Sequence, residues 1–446
     1  MNNINVGYSK ISVTPPLGIN IPGYFVERKA ETILDELYAS AVAFECAGKR
    51  SVVIALDHIG IERSTYVVLR DYICEKNFIA EDELFLSCSH THTGPSVDVK
   101  LTEEIEQKYL LSLKEKLSEV VRLSLLDLKP AKIGYGIGTA NRISFVRRFR
   151  MKDGSVRTNP GVNNPDILEP IGTVDERVNV IRIDREDAET VVIVNFGVHP
   201  DVIGGNNISA DYPGFVRNTV ERALDNVKCV FLNGMQGDVN HVNVMPRPGE
   251  ENGLLPDFDD VKRGYPHSKH MGNVIAAAVL SVYEKVKYIE TDSIRTCEVS
   301  IAVPSNRPDP SEIPLATKYN DLHLAGKDAE IPYKGMALTT EVARAARMIK
   351  LKDGPDSFDV TLSAFAIGNI AFVGLAGEPF TGIGIGLKSN KNFELVLPCA
   401  LTNGSEGYFP MMDSYAEGGY EAATSIFKPG VAELLIEKGN EILNEL

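Results

Sequence analysis

The feature that most constrains this chain is a repeated pairing of a short apolar run with a helix-spaced segment. "SVVIALDH" (51–58) precedes "STYVVLRDYICEKN", and "LFLSCSH" (84–90) precedes "EEIEQKYLLSLKEKLSEVVRLSLLDL" (103–128). "VVIVNFGVH" (191–199) precedes "YPGFVRNTVERALDN", and "KCVFLNGMQGD" (228–238) leads through a loop to "GNVIAAAVLSVYEKV" (272–286). "IAFVGLAGE" (370–378) precedes a Gly-rich turn and "GIGIGLKSN". Short continuous apolar runs are the pattern of strands buried on both faces, and the segments between them have helical period. The expected class is therefore α/β: mixed β-sheets flanked by helices. The stretch 131–183 differs, because "RRFRMKDGSVRTNPG" places an Asp153-Gly154 turn between alternating residues and reads as a β-hairpin. "TTEVARAARMIKL" reads as helix, and "PSNRPDPSEIP" as loop. No repeat, low-complexity tract or linker divides the 446 residues, so one domain over 1–446 is expected.

The runs share a second property. They close on Asp57 and His58, on His90 and His92, on His199 and Asp201, on Gln236 and Asp238, and on Glu378. In α/β sheets, sites form beyond the carboxyl ends of strands, so these residues are candidates to meet in space. Imidazole and carboxylate are zinc's usual non-thiolate ligands, and a catalytic site keeps one position open. His90 and His92, at i and i+2 of an extended segment, would project to one side. Either both face one metal, or one binds and the other stands behind it. Each residue alone is an ordinary strand-end residue; only the joint pattern points to a metal. His58, His241, His267, His270 and His323 have no spacing argument and read as structural.

Composition narrows the partners. A formal net charge of -15 argues against nucleic acid or an anionic membrane. No apolar run reaches the ~20 residues that span a bilayer, so no stable membrane insertion is expected. The start "MNNINVGYSKISVTPP" lacks the pattern of a secretion signal, and the six cysteines are scattered without a CxxC pair. A cytoplasmic location with reduced core cysteines is expected. Oligomeric state is left open.

One motif adds a family. "SHTHTGP" resembles the His-Thr-His-Ser-Gly-Pro signature of the neutral/alkaline, non-lysosomal ceramidases. In the family's order, "VGYSKISVTPPLGINIPGY", "VNFGVHPDVIGGNNISADYPG", "NGMQGDVNH", "GLAGEPFT" and "NGSEGYFPMMDSYAEGGYEAATSIF" resemble its other conserved segments. The resemblance implies one Zn2+ per chain, bound by His90, His199, Glu378 and Tyr408. It implies His92 close by, oriented toward bound substrate or water, Arg142 pointing into the site and Tyr420 near the reacting carbonyl. His92 is then expected to shuttle a proton, and Arg142 and Tyr420 to hydrogen-bond the oxyanion. Asp238 is expected to fix an imidazole tautomer. Where the family has the serine proposed as nucleophile, this chain has Asn240, whose amide is no nucleophile; it is expected to donate a hydrogen bond to substrate. The family's C-terminal immunoglobulin-like domain has no counterpart in these 446 residues. The expected activity is a zinc-dependent hydrolase cleaving the amide bond of a small-molecule N-acyl substrate with activated water. The alternatives are an esterase or other C–N hydrolase at the same metal, or a non-catalytic ligand-binding relative. The basic hairpin (Arg147, Arg148, Arg150, Lys152, Arg157) either borders the site and favours an anionic group or is a solvated face.

Overall fold

A computed structural model describes residues 4–95, 97–248, 250, 255–256, 262–290 and 292–446. Two sheets stack face to face, and helices cover both outer surfaces. The larger sheet runs Val227–Asn233, Thr190–Phe196, Arg177–Arg185, Lys129–Thr139, Ile4–Ser12, Tyr38–Cys46, Lys49–Leu56, Leu84–Cys88, with Lys287–Ile289 added beside Lys129–Thr139. The smaller runs Ile294–Pro304, Ser357–Ile367, Ile370–Leu375, Leu395–Cys399. Both are mixed. Thr190–Phe196 with Val227–Asn233, Lys49–Leu56 with Leu84–Cys88, and Ile370–Leu375 with Leu395–Cys399 are parallel. The remaining pairs in the two sheets are antiparallel.

Period-two alternation explains the layering. In Tyr38–Cys46, Val42 and Phe44 point to the layer between the sheets, while Ala41 and Ala43 meet helices Arg63–Asn77 and Glu104–Leu126. In Thr190–Phe196, Val191 and Ile193 point inward, while Val192 and Val194 pack on helices Asp211–Ala223 and Tyr265–Tyr283. In the smaller sheet, Phe365, Ile367 and Phe372 face inward, and Leu362, Ala364 and Val373 face helices Thr381–Lys388 and Val431–Glu445. Strands such as Thr190–Phe196 and Ile370–Leu375 are thus covered on both faces, which is why they read as unbroken apolar runs. The stacked rings of Phe365 and Phe372, 4.3 Å apart, and Phe85 edge-on at 5.3 Å fill the centre.

Topology also brings distant strand ends together. Leu84–Cys88 and Val227–Asn233 lie at opposite ends of the larger sheet, yet the sheet curls until Asn233 Nδ2 donates to Ser89 O at 3.1 Å. The chain leaving Leu395–Cys399 closes the gap. Ala400 N–H bonds Asn233 O, Cys88 N–H bonds Leu401 O, and Asn403 N–H bonds Leu86 O.

Helices Ile313–Leu324 and Gly335–Leu351 form a separate packed pair around Ala316, Tyr319, Val342 and Met348. The hairpin is present, with Arg148–Met151 antiparallel to Val156–Thr158 and Ile167–Ile171 on its other side. All six cysteines are free thiols. Among the described residues, no helix is long and apolar enough to cross a membrane.

Candidate metal centre

Three imidazoles converge where the strands stop. His90, His92 and His199 are buried, and their Nε2 atoms are 3.1 Å (His90–His199), 3.1 Å (His92–His199) and 3.3 Å (His90–His92) apart. Beside them Glu378 Oε2 is buried and accepts no hydrogen bond, standing 3.3 Å from His90 Nε2 and 3.8 Å from His199 Nε2.

The extended His-x-His expected from the spacing is not how the two rings meet. The strand ends at Cys88, and His90 sits in the left-handed region with φ 70°. A non-glycine residue there is strained and needs support. It has it: Ser89 N–H bonds Leu56 O, His90 N–H bonds His58 O at 2.8 Å, and His90 Nδ1 meets Ile59 O at 2.5 Å. The turn aims His90 Nε2 inward, and the chain then comes round so that His92 faces the same point. Gly23, at φ 104°, lies against His92; a Cβ there would come 2.7 Å from His92 Nδ1. Gly237 plays the same part for Glu378, since its Cβ would stand 2.5 Å from Glu378 O, and its N–H bonds Pro379 O. Glu378–Pro379 in turn pairs in parallel with Tyr408–Phe409, which sets Glu378 and Tyr408 side by side.

The electrostatics favour a cation. His90 Nδ1 faces Ile59 O, and His199 Nδ1 faces Gln236 O at 3.5 Å, so the ring proton belongs on Nδ1 in both. Their Nε2 lone pairs then point at one another. Burial depresses the His199 pKa well below its usual value and pushes His92 down to about 3, so neither is held protonated. Burial works to raise the Glu378 carboxyl, but His90 and Arg147 outweigh it and hold it below the usual range. Converging lone pairs and a buried carboxylate repel unless a positive ion sits among them. Zinc–nitrogen bonds of ~2.0–2.1 Å in a tetrahedron give nitrogen separations of about 3.3 Å, close to those seen. The residues therefore fit a bound metal ion.

His92 differs from the other two. Its Nδ1 has no hydrogen-bond partner and is 3.9 Å from Asp201 Oδ1. Asp201 is engaged by Arg263 Nη2 at 2.5 Å and by the Tyr24 hydroxyl at 2.6 Å. Arg28 donates to His92 O at 2.8 Å and lies over the Tyr24 ring.

The other expected site residues are distributed unevenly. Tyr408 and Tyr420 pack edge to face with ring centroids 5.8 Å apart, and Phe25 closes on Tyr420 at 6.3 Å. Burial raises the pKa of both phenols. Arg142 points to Glu250, with Nε 2.5 Å from Oε1, and its N–H bonds Glu176. The arginine beside the tyrosines is Arg147 instead. It is buried, 5.4 Å from the Tyr408 ring centre, donates to Gly237 O at 2.5 Å and pairs with Glu421 at 2.6 Å. Sequence reasoning saw Arg147 only as one charge of a basic hairpin. Its neighbour Arg148 is likewise buried, bonding Ser414 and Glu417. Asp238 accepts from Thr381 N–H at 2.7 Å and Thr381 Oγ at 2.8 Å, rather than from an imidazole; the Gln236 carbonyl faces His199 in its place. Asn240 Nδ2 donates to Asn159 Oδ1 at 3.1 Å, and its Oδ1 accepts Val242 N–H at 3.0 Å.

No protein-family model and no curated protein matches the sequence. Solved structures do. The chain superimposes over its full length on neutral ceramidase from Pseudomonas aeruginosa, with a TM-score of 0.73 and 16% identity, covering 75% of that chain. A structure described as ceramidase complexed with C2 gives a TM-score of 0.72 and 15% identity, over 100% of this chain and 76% of that one. At this identity the likeness establishes a shared fold.

Proposed function

On a ceramidase-type fold, we propose that this chain is a metal-dependent hydrolase that cleaves the amide bond of an N-acyl compound. The observation that carries the reading is the convergence of three imidazole Nε2 atoms within 3.3 Å beside an unsatisfied Glu378 carboxylate. His90, His199 and Glu378 would hold the cation, with Tyr408 the further ligand implied by the family resemblance. Zinc suits these donors, and when bound it supplies a Lewis acid for a carbonyl oxygen and acidifies water.

The chain's own residues supply the rest. A metal-ligating histidine almost always donates its second N–H to a carbonyl or carboxylate. His90 and His199 face such carbonyls and His92 does not, so His92 is the imidazole assigned to move a proton at Nε2. Tyr420, its phenol kept protonated by burial, would donate to the carbonyl oxygen as it gains charge. Arg147 supplies the fixed positive charge beside Tyr408. Asn240 has both ends of its amide engaged by Asn159 and Val242, so it supports the loop; water is then the nucleophile. Exposed Phe25, against Tyr420, and its chain neighbour Val26 would give the acyl group an apolar rim. A chain of net charge -15 without Trp fits a substrate smaller and more soluble than a two-chain lipid.

Replacing His90 with Ala tests the reading. Metal analysis should show loss of the bound ion, and turnover of N-acyl sphingoid, N-acyl amino acid and N-acyl amino sugar substrates should vanish. Unchanged metal content and activity in that variant would end the proposal.

A further inference from the structure

A second feature lies away from the histidines. A cleft of about 1130 Å³ opens between the hairpin, the helix Gly335–Leu351 and the turn Gly418–Gly419. Met336, Thr340, Arg344, Arg347 and Met348 line it. These positions recur at helical spacing, so one helix face forms the wall. From Met336 to Met348 that wall is about 18 Å long, at ~1.5 Å per residue. Pro160 from the hairpin side, and Pro332 and Tyr333 just before the helix, add apolar surface.

The charge in the cleft is unusual for this chain. Its lining carries five Lys or Arg side chains against three acidic ones, in a protein of net charge -15. Arg157 pairs with Asp153, Arg307 with Asp356, and Arg344 with Glu312 and Glu341. Among the described residues Lys334 and Arg347 have no such partner; Lys334 is exposed, and Arg347 is buried. It is 9% exposed, its Nη1 donates to Asn306 O at 2.9 Å, and its Nε has no hydrogen-bond partner. Among the described residues no carboxylate lies within ion-pair distance of it. Burial and neighbouring Arg344 both disfavour its charge. A buried, unpaired guanidinium is costly, and a carboxylate is the group whose geometry matches it.

We propose that this cleft binds an amphiphilic organic carboxylate, its carboxylate on Arg347 and its apolar chain along Met336, Met348 and the prolines. The site does not depend on the reaction assigned to the histidines. It shares a wall with them all the same. Gly419, Ala422 and Ala423 line the cleft, while Tyr420 between them turns its ring to Tyr408 and Phe25. An occupant would therefore bear on the segment that holds Tyr420.

Calorimetric titration of the full chain with dodecanoate, dodecanol and dodecylamine tests this. Dodecanoate should bind saturably with one equivalent, and dodecylamine should not. Arg347→Met should weaken dodecanoate at least tenfold while leaving dodecanol unchanged. Arg347→Lys should fall between. Met336→Glu, at a half-buried position, should weaken both dodecanoate and dodecanol without touching Arg347. His90→Ala should bind dodecanoate as the parent does. The proposal is overturned if the parent chain shows no saturable binding. It is equally overturned if a folded Arg347→Met variant binds dodecanoate normally, or if His90→Ala abolishes binding, which would put the ligand at the histidines.

Discussion

Two neighbouring strand ends look alike in sequence and differ in their chemistry. Lys49–Leu56 runs into Asp57 and His58, and its parallel neighbour Leu84–Cys88 runs into Ser89 and His90. All four side chains are buried. At the first end every charge is answered within the protein. Asp57 takes both nitrogens of Arg217, at 2.8 and 2.6 Å, and accepts Tyr38 N–H. His58 Nε2 meets the Tyr109 hydroxyl at 3.0 Å. At the second end His90 Nε2 meets the other two imidazoles and the carboxylate of Glu378. A strand's carboxyl end is thus a place for a site, and the convergence of several metal-capable atoms on one point separates a site from the first end, where His58 Nδ1 alone lacks a hydrogen-bond partner.

That contrast can be broken from either side. The largest effect is expected on turnover. His92→Ala should keep the metal and lower kcat by ~10²–10⁴, the range for loss of a general acid–base group. Loss of the metal in that variant would instead make His92 a ligand and leave the proton without its carrier. At the answered end, Arg217→Met should leave Asp57 buried and unpaired. It should cost about 3–5 kcal/mol in denaturant unfolding, with metal content per folded molecule unchanged. Adding Asp57→Asn should recover part of that loss, since the stranded charge is then gone. If the single variant is as stable as the parent, the ion pair is not what holds this end.

Much of the difference was readable in the residues. The apolar runs marked buried strands, and their last residues marked the histidines, because burial on both faces leaves only the strand ends for polar groups. His90, His199 and Glu378 followed from that logic. Tyr408 did not, because a tyrosine reads as packing and only the family resemblance singled it out. The long antiparallel strands Lys129–Thr139 and Ser357–Ile367 also escaped, since alternation broken by Gly and Lys in the first and by polar residues in the second hides the period. Arg142 was singled out by the family resemblance, and Arg147 was read only as one charge of the basic hairpin. Both sit in one basic stretch, and only the fold sends Arg147 inward to Glu421 and Arg142 out to Glu250. The cleft at Arg347 was equally invisible, because it is built from four segments separated in the chain.

A third strand end lies between the two extremes and gives the finest test. Val227–Asn233 leads to Asp238, which is buried with hydrogen bonds from Thr381 and no cation in direct contact. Burial raises its pKa to about 6, with the Thr381 bonds and Arg147 pulling the other way. The unfolded chain would release this proton near ~3.9. The folded state therefore holds the proton more tightly, and its stabilising effect is complete below about pH 4. It is lost as pH rises through about 6, at a total of roughly 3 kcal/mol. Asp238→Asn mimics the protonated acid and keeps an oxygen for Thr381. Its stability relative to the parent should climb between pH 4 and pH 6 and stay level above. A flat difference across that window in urea titrations would mean that Asp238 is as well answered as Asp57, and the graded order of strand ends would fail.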